Sequence, residues 1–66
     1  MKTLESLKRM SPGSFKYLVM SYEANSAEII TEKTFNGIVE NIAFHYDLNP
    51  IELYSDIINY GANNID

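Results

Sequence analysis

Apolar residues recur along this chain at the i, i+3, i+4 spacing of a helix, and strict alternation never lasts more than a few positions, so the pattern predicts helices and no sheet. Leu4, Leu7 and Met10 share one face of a short first helix, with Thr3 as its cap and Lys8 and Arg9 near its negative C-terminal end. The run Ser11-Pro12-Gly13-Ser14 interrupts it. Ser11 before Pro12 reads as a cap followed by the first helical residue, with Ser14 as the alternative cap. Phe15, Leu18, Val19 and Tyr22 then form the stripe of a second helix that Asn25 and Ser26 end.

A third helix begins at Thr31, a good cap, with Glu32 in its first turn and Ile30 and Phe35 placed as a hydrophobic staple. Its stripe is Phe35, Ile38, Val39, Ile42 and Tyr46, and Gly37 lies inside it. A fourth helix repeats this start chemistry. Asn49 caps, Pro50 takes the first position, Glu52 completes a capping box, and Leu48 and Leu53 are the staple pair. Gly61 is expected as its left-handed stop, and residues 62–66 as a flexible tail. The expected fold is all-α: one small domain over residues 1–66, a bundle of three to four short helices, the last two in a helix-turn-helix-like arrangement.

More apolar surface is present than one small core should need. At about 100° per residue, Ile51, Leu53, Tyr54, Ile57, Ile58 and Tyr60 cover half of the fourth helix, wider than the stripe of an ordinary surface helix. Phe44 projects nearly opposite the main stripe of the third helix, and Tyr17 and Met20 fall behind that of the second. Either the helices bury two faces each within one molecule, or part of this surface is an interface.

Charge is divided unevenly. All five basic residues (Lys2, Lys8, Arg9, Lys16 and Lys33) lie in the first half, and residues 34–66 hold Glu40, Asp47, Glu52, Asp56 and Asp66 with no Lys or Arg. Such a field attracts basic partners and repels phosphate, although a net charge of −4 also serves solubility. The pair of helices joined at Asp47-Leu48-Asn49, with Ala43 small at the crossing and Leu53 and Ile57 beneath, resembles the last helical pair of small repressor-type domains over Ala43 to Tyr54. Asp47 stands where that motif usually has glycine. A recognition helix needs flanking cations for phosphate, and Pro50 to Tyr60 has none, so charge opposes nucleic-acid binding. An acidic helical face can instead imitate phosphate on a protein that binds nucleic acid.

Catalytic and cofactor chemistry lacks an inventory. There is no cysteine, one histidine (His45, expected half-buried and structural), no glycine-rich phosphate loop and no calcium-loop spacing. No enzyme activity, metal or cofactor is expected. No apolar run approaches the roughly 20 residues that span a bilayer, and the start does not read as a secretory signal, so a cytoplasmic protein without membrane association is expected.

These features favour a small acidic helical module that binds a larger protein as a regulator, inhibitor or accessory subunit. Its expected contacts are Phe44, Tyr54 and Ile58, rimmed by Glu40, Glu52 and Asp56. A homodimer and a helix-turn-helix DNA-binding regulator are the alternatives. Short length and richness in Ile, Asn and Tyr suit a phage or mobile-element regulator.

Overall fold

A computed structural model describes residues 2–64 and contains four helices: α1 (Lys2–Met10), α2 (Pro12–Ser26), α3 (Glu32–His45) and α4 (Pro50–Asn64). The backbone radius of gyration is 10.7 Å, close to the roughly 11 Å of a compact chain of this length. α2 and α4 each touch all the other helices, so they form the centre, with α1 and α3 on their flanks. No helix among the described residues is long and apolar enough to cross a membrane.

The cap chemistry operates where the sequence places it. Ser11 Oγ accepts the Ser14 backbone N–H at 3.2 Å, so Ser11 is the cap of α2 and Ser14 the residue it serves. Thr31 Oγ1 accepts the Thr34 N–H at 3.1 Å, and Asn49 Oδ1 accepts those of Ile51 and Glu52 at 2.9 and 3.0 Å. α2 and α3 both end in Schellman turns. Ile29 N–H donates to Ala24 O at 2.8 Å and Leu48 N–H to Ala43 O at 2.7 Å. The residues that must turn left-handed are not glycines but Glu28 (φ 62°) and Asp47 (φ 58°). Asp47 thus fills the turn position usually given to glycine, at a local backbone cost of about 1–2 kcal/mol.

Leu4, Leu7, Leu18, Phe35, Val39, Ile42, Ala43, Leu53 and Ile57 make the core. Phe15, Val19, Tyr22, Ile38, Tyr46, Tyr54, Ile58 and Tyr60 pack around it half-buried. Aromatic edges tie the layers together: Phe15 meets Tyr60 at 5.7 Å, and Tyr22 meets Phe35 at 6.2 Å. A hydroxyl chain from Ser11 through Ser14 to Tyr46, with contacts of 3.0 and 2.9 Å, joins the start of α2 to the end of α3. The Ser11 and Ser14 hydroxyls hold the Tyr46 phenol below its ordinary pKa, against the opposing effect of burial.

Several sequence expectations are corrected. Thr3 lies inside the first turn of α1, not before it, and Met10 is exposed instead of completing the α1 stripe. His45 is exposed and stacks edge-on with Tyr46 at 4.7 Å, so it is not half-buried. Gly61 does not stop α4. It is helical, buried and without positive φ, and the helix continues through Asn64. The expected flexible tail is therefore helix over residues 62–64, and its last two positions lie outside the described residues.

Tyr22 explains Gly61, because a Cβ at position 61 would overlap the Tyr22 ring. Gly61→Ala should therefore destabilise the fold by about 1 kcal/mol, an overpacking cost of about 1–3 kcal/mol set against about 1 kcal/mol of gained helix propensity. In a Tyr22→Ala background the same substitution should become stabilising. Urea titration of the four variants measures this sign change, and equal effects in both backgrounds would rule out the contact as the reason for glycine.

Candidate functional site: a groove between α3 and α4

Asn36, Val39 and Glu40 fall on one face of α3 because they are spaced i, i+3, i+4. The turn at residues 46–49 reverses the chain and returns α4 along α3, so Tyr54 of α4 reaches Phe35 and Glu32 near the start of α3. Between the two helices lies a groove of about 310 Å³ lined by Asn36, Val39, Glu40, Pro50, Ile51 and Tyr54. Val39 is buried at its floor. Ile51 is 79% exposed at its rim, and Phe44, one turn beyond Glu40 on α3, is 70% exposed.

Tyr54 forms a rigid wall. Its ring packs on Phe35 with centroids 5.7 Å apart, and its hydroxyl donates to the Glu32 carboxylate. That hydrogen bond, then burial, then repulsion by the Glu32 charge, raise the phenol above the usual tyrosine value near 10. Tyr54 releases its proton at higher pH in the folded chain than in the unfolded one. The pair's contribution to stability is therefore complete below a pH of about 10 and disappears as pH rises through the raised value.

The residues expected to form one contact patch are distributed over two seams. Glu40 and Tyr54 share the groove, and Phe44 continues the same side of α3. Ile58 is half-buried against the core. Glu52 and Asp56 turn towards α1. Thr3 Oγ1 donates to Glu52 Oε1 at 3.0 Å, and the Leu4 backbone N–H donates to Asp56 Oδ2 at 3.0 Å. Asp56 therefore caps α1 from across the bundle, Glu52 holds the Thr3 side chain beside it, and both charges suit the positive end of the α1 dipole. The Glu52 carboxylate thus serves α1 through Thr3, where the sequence suggested a box within its own helix. Asn36, Val39, Pro50 and Ile51 were not singled out from sequence as groove residues. Helical spacing groups them within each helix, but only the helix crossing brings the two sets together.

A smaller recess of about 120 Å³ lies among Leu4, Glu5, Lys8, Phe15 and Tyr60, with Lys8 Nζ 5.3 Å from the Phe15 ring centre. Among the described residues, no three His, Cys, Asp or Glu side chains stand close enough to hold a metal ion. No known protein family, curated protein or solved structure matches the chain.

Proposed function

We propose that the chain is a small acidic helical interaction module, acting as a regulator, inhibitor or accessory subunit by seating a segment of a larger protein in the α3–α4 groove. The observation that carries this reading is the exposure of Phe44 and Ile51 beside Glu40, around a groove with an apolar floor. Large aromatic and aliphatic side chains left in water beside a recess are the anchors that interfaces use. Glu40 is the charged residue in the groove lining, and no Lys or Arg follows Lys33, so a basic partner surface fits best. Tyr54 and Ile58 support this surface, and Glu52 and Asp56 extend its negative field from the α1 side. The reading includes a cytoplasmic setting and assigns no catalysis and no cofactor.

The turn between α3 and α4 is compatible with a helix-turn-helix outline. DNA binding is nonetheless the weaker reading, because the exposed positions of α4 (Ile51, Glu52, Ser55, Asn59, Ala62 and Asn63) offer no cation to phosphate.

A photo-cross-linking residue at position 51, expressed in the source cells, should trap a discrete second protein. The same residue at exposed position 63 should not. Phe44→Ala should weaken capture of that protein about tenfold or more while helicity is unchanged, the expected loss for an aromatic anchor. Failure to trap any other protein at position 51, or equal capture by the Phe44→Ala variant, would overturn the reading.

A further inference from the structure

The outward face of α2 carries a pattern that its own bundle does not use. Burial of Leu18 and Ser21 turns Gly13, Lys16, Tyr17, Met20 and Glu23 to the surface, and Ala27 at the C-terminal cap is exposed with them. Tyr17 is 54% and Met20 57% exposed. On a helix these positions and half-buried Ala24 fall within one stripe about 120° wide. Lys16 and Glu23 run along one edge, Tyr17 and Ala24 along the other, and Met20 lies between them. The exposed charges run in one order. Arg9 just before α2 and Lys16 in its first half are basic, and Glu23 in its second half and Glu28 just after it are acidic. No acidic residue stands in the first turn of α2 and no basic one in the last, so these charges gain nothing from their own helix dipole. None of the stripe residues lines the groove or the smaller recess.

We infer that two copies of this chain pair through this stripe, α2 against α2, antiparallel about a two-fold axis at Met20. The stripe is its own complement in that arrangement. A two-fold axis perpendicular to the helices keeps each edge beside the same edge of the second copy and reverses its direction. Lys16 therefore meets Glu23 of the second copy, and Glu23 meets its Lys16. On the other edge each Tyr17 ring lies over the second copy's Ala24, a large side chain against a small one, and the two Met20 side chains meet at the axis. Gly13 and Ala27, seven residues to either side of Met20, are small where the helix ends approach. Met10 and Ile29, exposed beyond opposite ends of α2, come to the same ends of the pair. The reversal also sets Arg9 and Lys16 towards the negative end of the neighbouring α2, and Glu23 and Glu28 towards its positive end. A parallel pair would set Lys16 against Lys16 and Glu23 against Glu23. One helix face is small beside the roughly 800 Å² per partner of a stable complex, so the pair is a weak one. It is also closed, since the stripe of each copy is used up by the other.

Sedimentation from micromolar to millimolar concentration tests it. The wild-type mass should rise to that of a dimer and stop. Met20→Asp sets two like charges at the axis and should leave the chain monomeric. Position 20 is exposed, so circular dichroism should show that variant folded. Lys16→Glu and Glu23→Lys should each weaken self-association about tenfold, because each turns two attractive pairs into two repulsive ones. An equimolar mixture of these two variants should form a heterodimer tighter than either homodimer, and the double variant should dimerise as the wild type does. A wild-type chain that stays monomeric at millimolar concentration, or grows past a dimer, overturns the inference. So does a mixture no tighter than the homodimers. Glu23→Lys also makes the chain less acidic, so stronger association by that variant than by the wild type would trace association to net charge and overturn the pairing. The stripe and the groove share no residue, so trapping of a different protein at position 51 stands or falls separately.

Discussion

Replacing Phe35 with alanine should cost about 3–5 kcal/mol and leave much of the chain unfolded at room temperature. Phe35 is fully buried and is the residue through which three helices meet. Its ring lies 6.2 Å from Tyr22 of α2 and 5.7 Å from Tyr54 of α4. Truncation loses the transfer energy of the ring, leaves a cavity that two bulky tyrosines cannot fill by small shifts, and removes both aromatic edges. A core in a chain of this size supplies a net stability of only about 3–5 kcal/mol, so the loss is comparable with the whole. Phe35→Leu should retain the fold at a cost of about 1.5 kcal/mol or slightly more, since it keeps much of the volume but neither edge contact. Urea titration monitored by helicity reads both. A loss below about 1 kcal/mol for the alanine variant would mean that Phe35 is not the centre of the core.

Leu7→Ala should be the second most damaging change, at about 2–5 kcal/mol, lowering the melting temperature by about 8–40 °C. α1 is only nine residues long, too short to be helical by itself in water. Two anchors hold it. Leu4 and Leu7 enter the core, and Asp56 of α4 receives the Leu4 N–H. Asp56→Ala alone should cost about 1 kcal/mol, the usual loss of a helix cap. The two substitutions should not add, because once α1 undocks there is no helix start left to cap. Amide exchange over residues 4–10 distinguishes the alternatives. If α1 frayed independently of the rest, Leu7→Ala would accelerate exchange there and barely move the global melting temperature.

Helix existence and most helix starts were legible because their causes are local. Ser11, Thr31 and Asn49 cap the N–H groups two or three residues ahead of them, and the chain spacing alone brings those atoms together. The stripes Leu4–Leu7 and Phe35–Val39–Ile42 were legible for the same reason, since a helical period aligns them whatever they pack against. The exposure of Phe44 also followed from its angle on α3. Three things were not legible. Gly61 looked like a stop, but Tyr22, 39 positions earlier, claims the space its side chain would take. Asp56 and Glu52 were expected as the acidic rim of a partner contact, but the start of α1 lies against them. The groove joins Asn36, Val39 and Glu40 of α3 to Pro50, Ile51 and Tyr54 of α4, and no spacing along the chain relates one set to the other.

The amino-acid order by itself determined an all-helical chain, where the last three of its helices begin, which stripes turn inward, and an acidic second half. Each of these depends on atoms within a turn or two of one another, or on simple charge counting. Tertiary structure alone decided that α4 runs on past Gly61, that the Asp56 carboxylate caps a distant helix, and that Ile51 and Tyr54 border a groove while Leu53 between them is sealed inside. These depend on which helix crosses which and at what angle, and that is settled by competition among all the apolar faces for one small core.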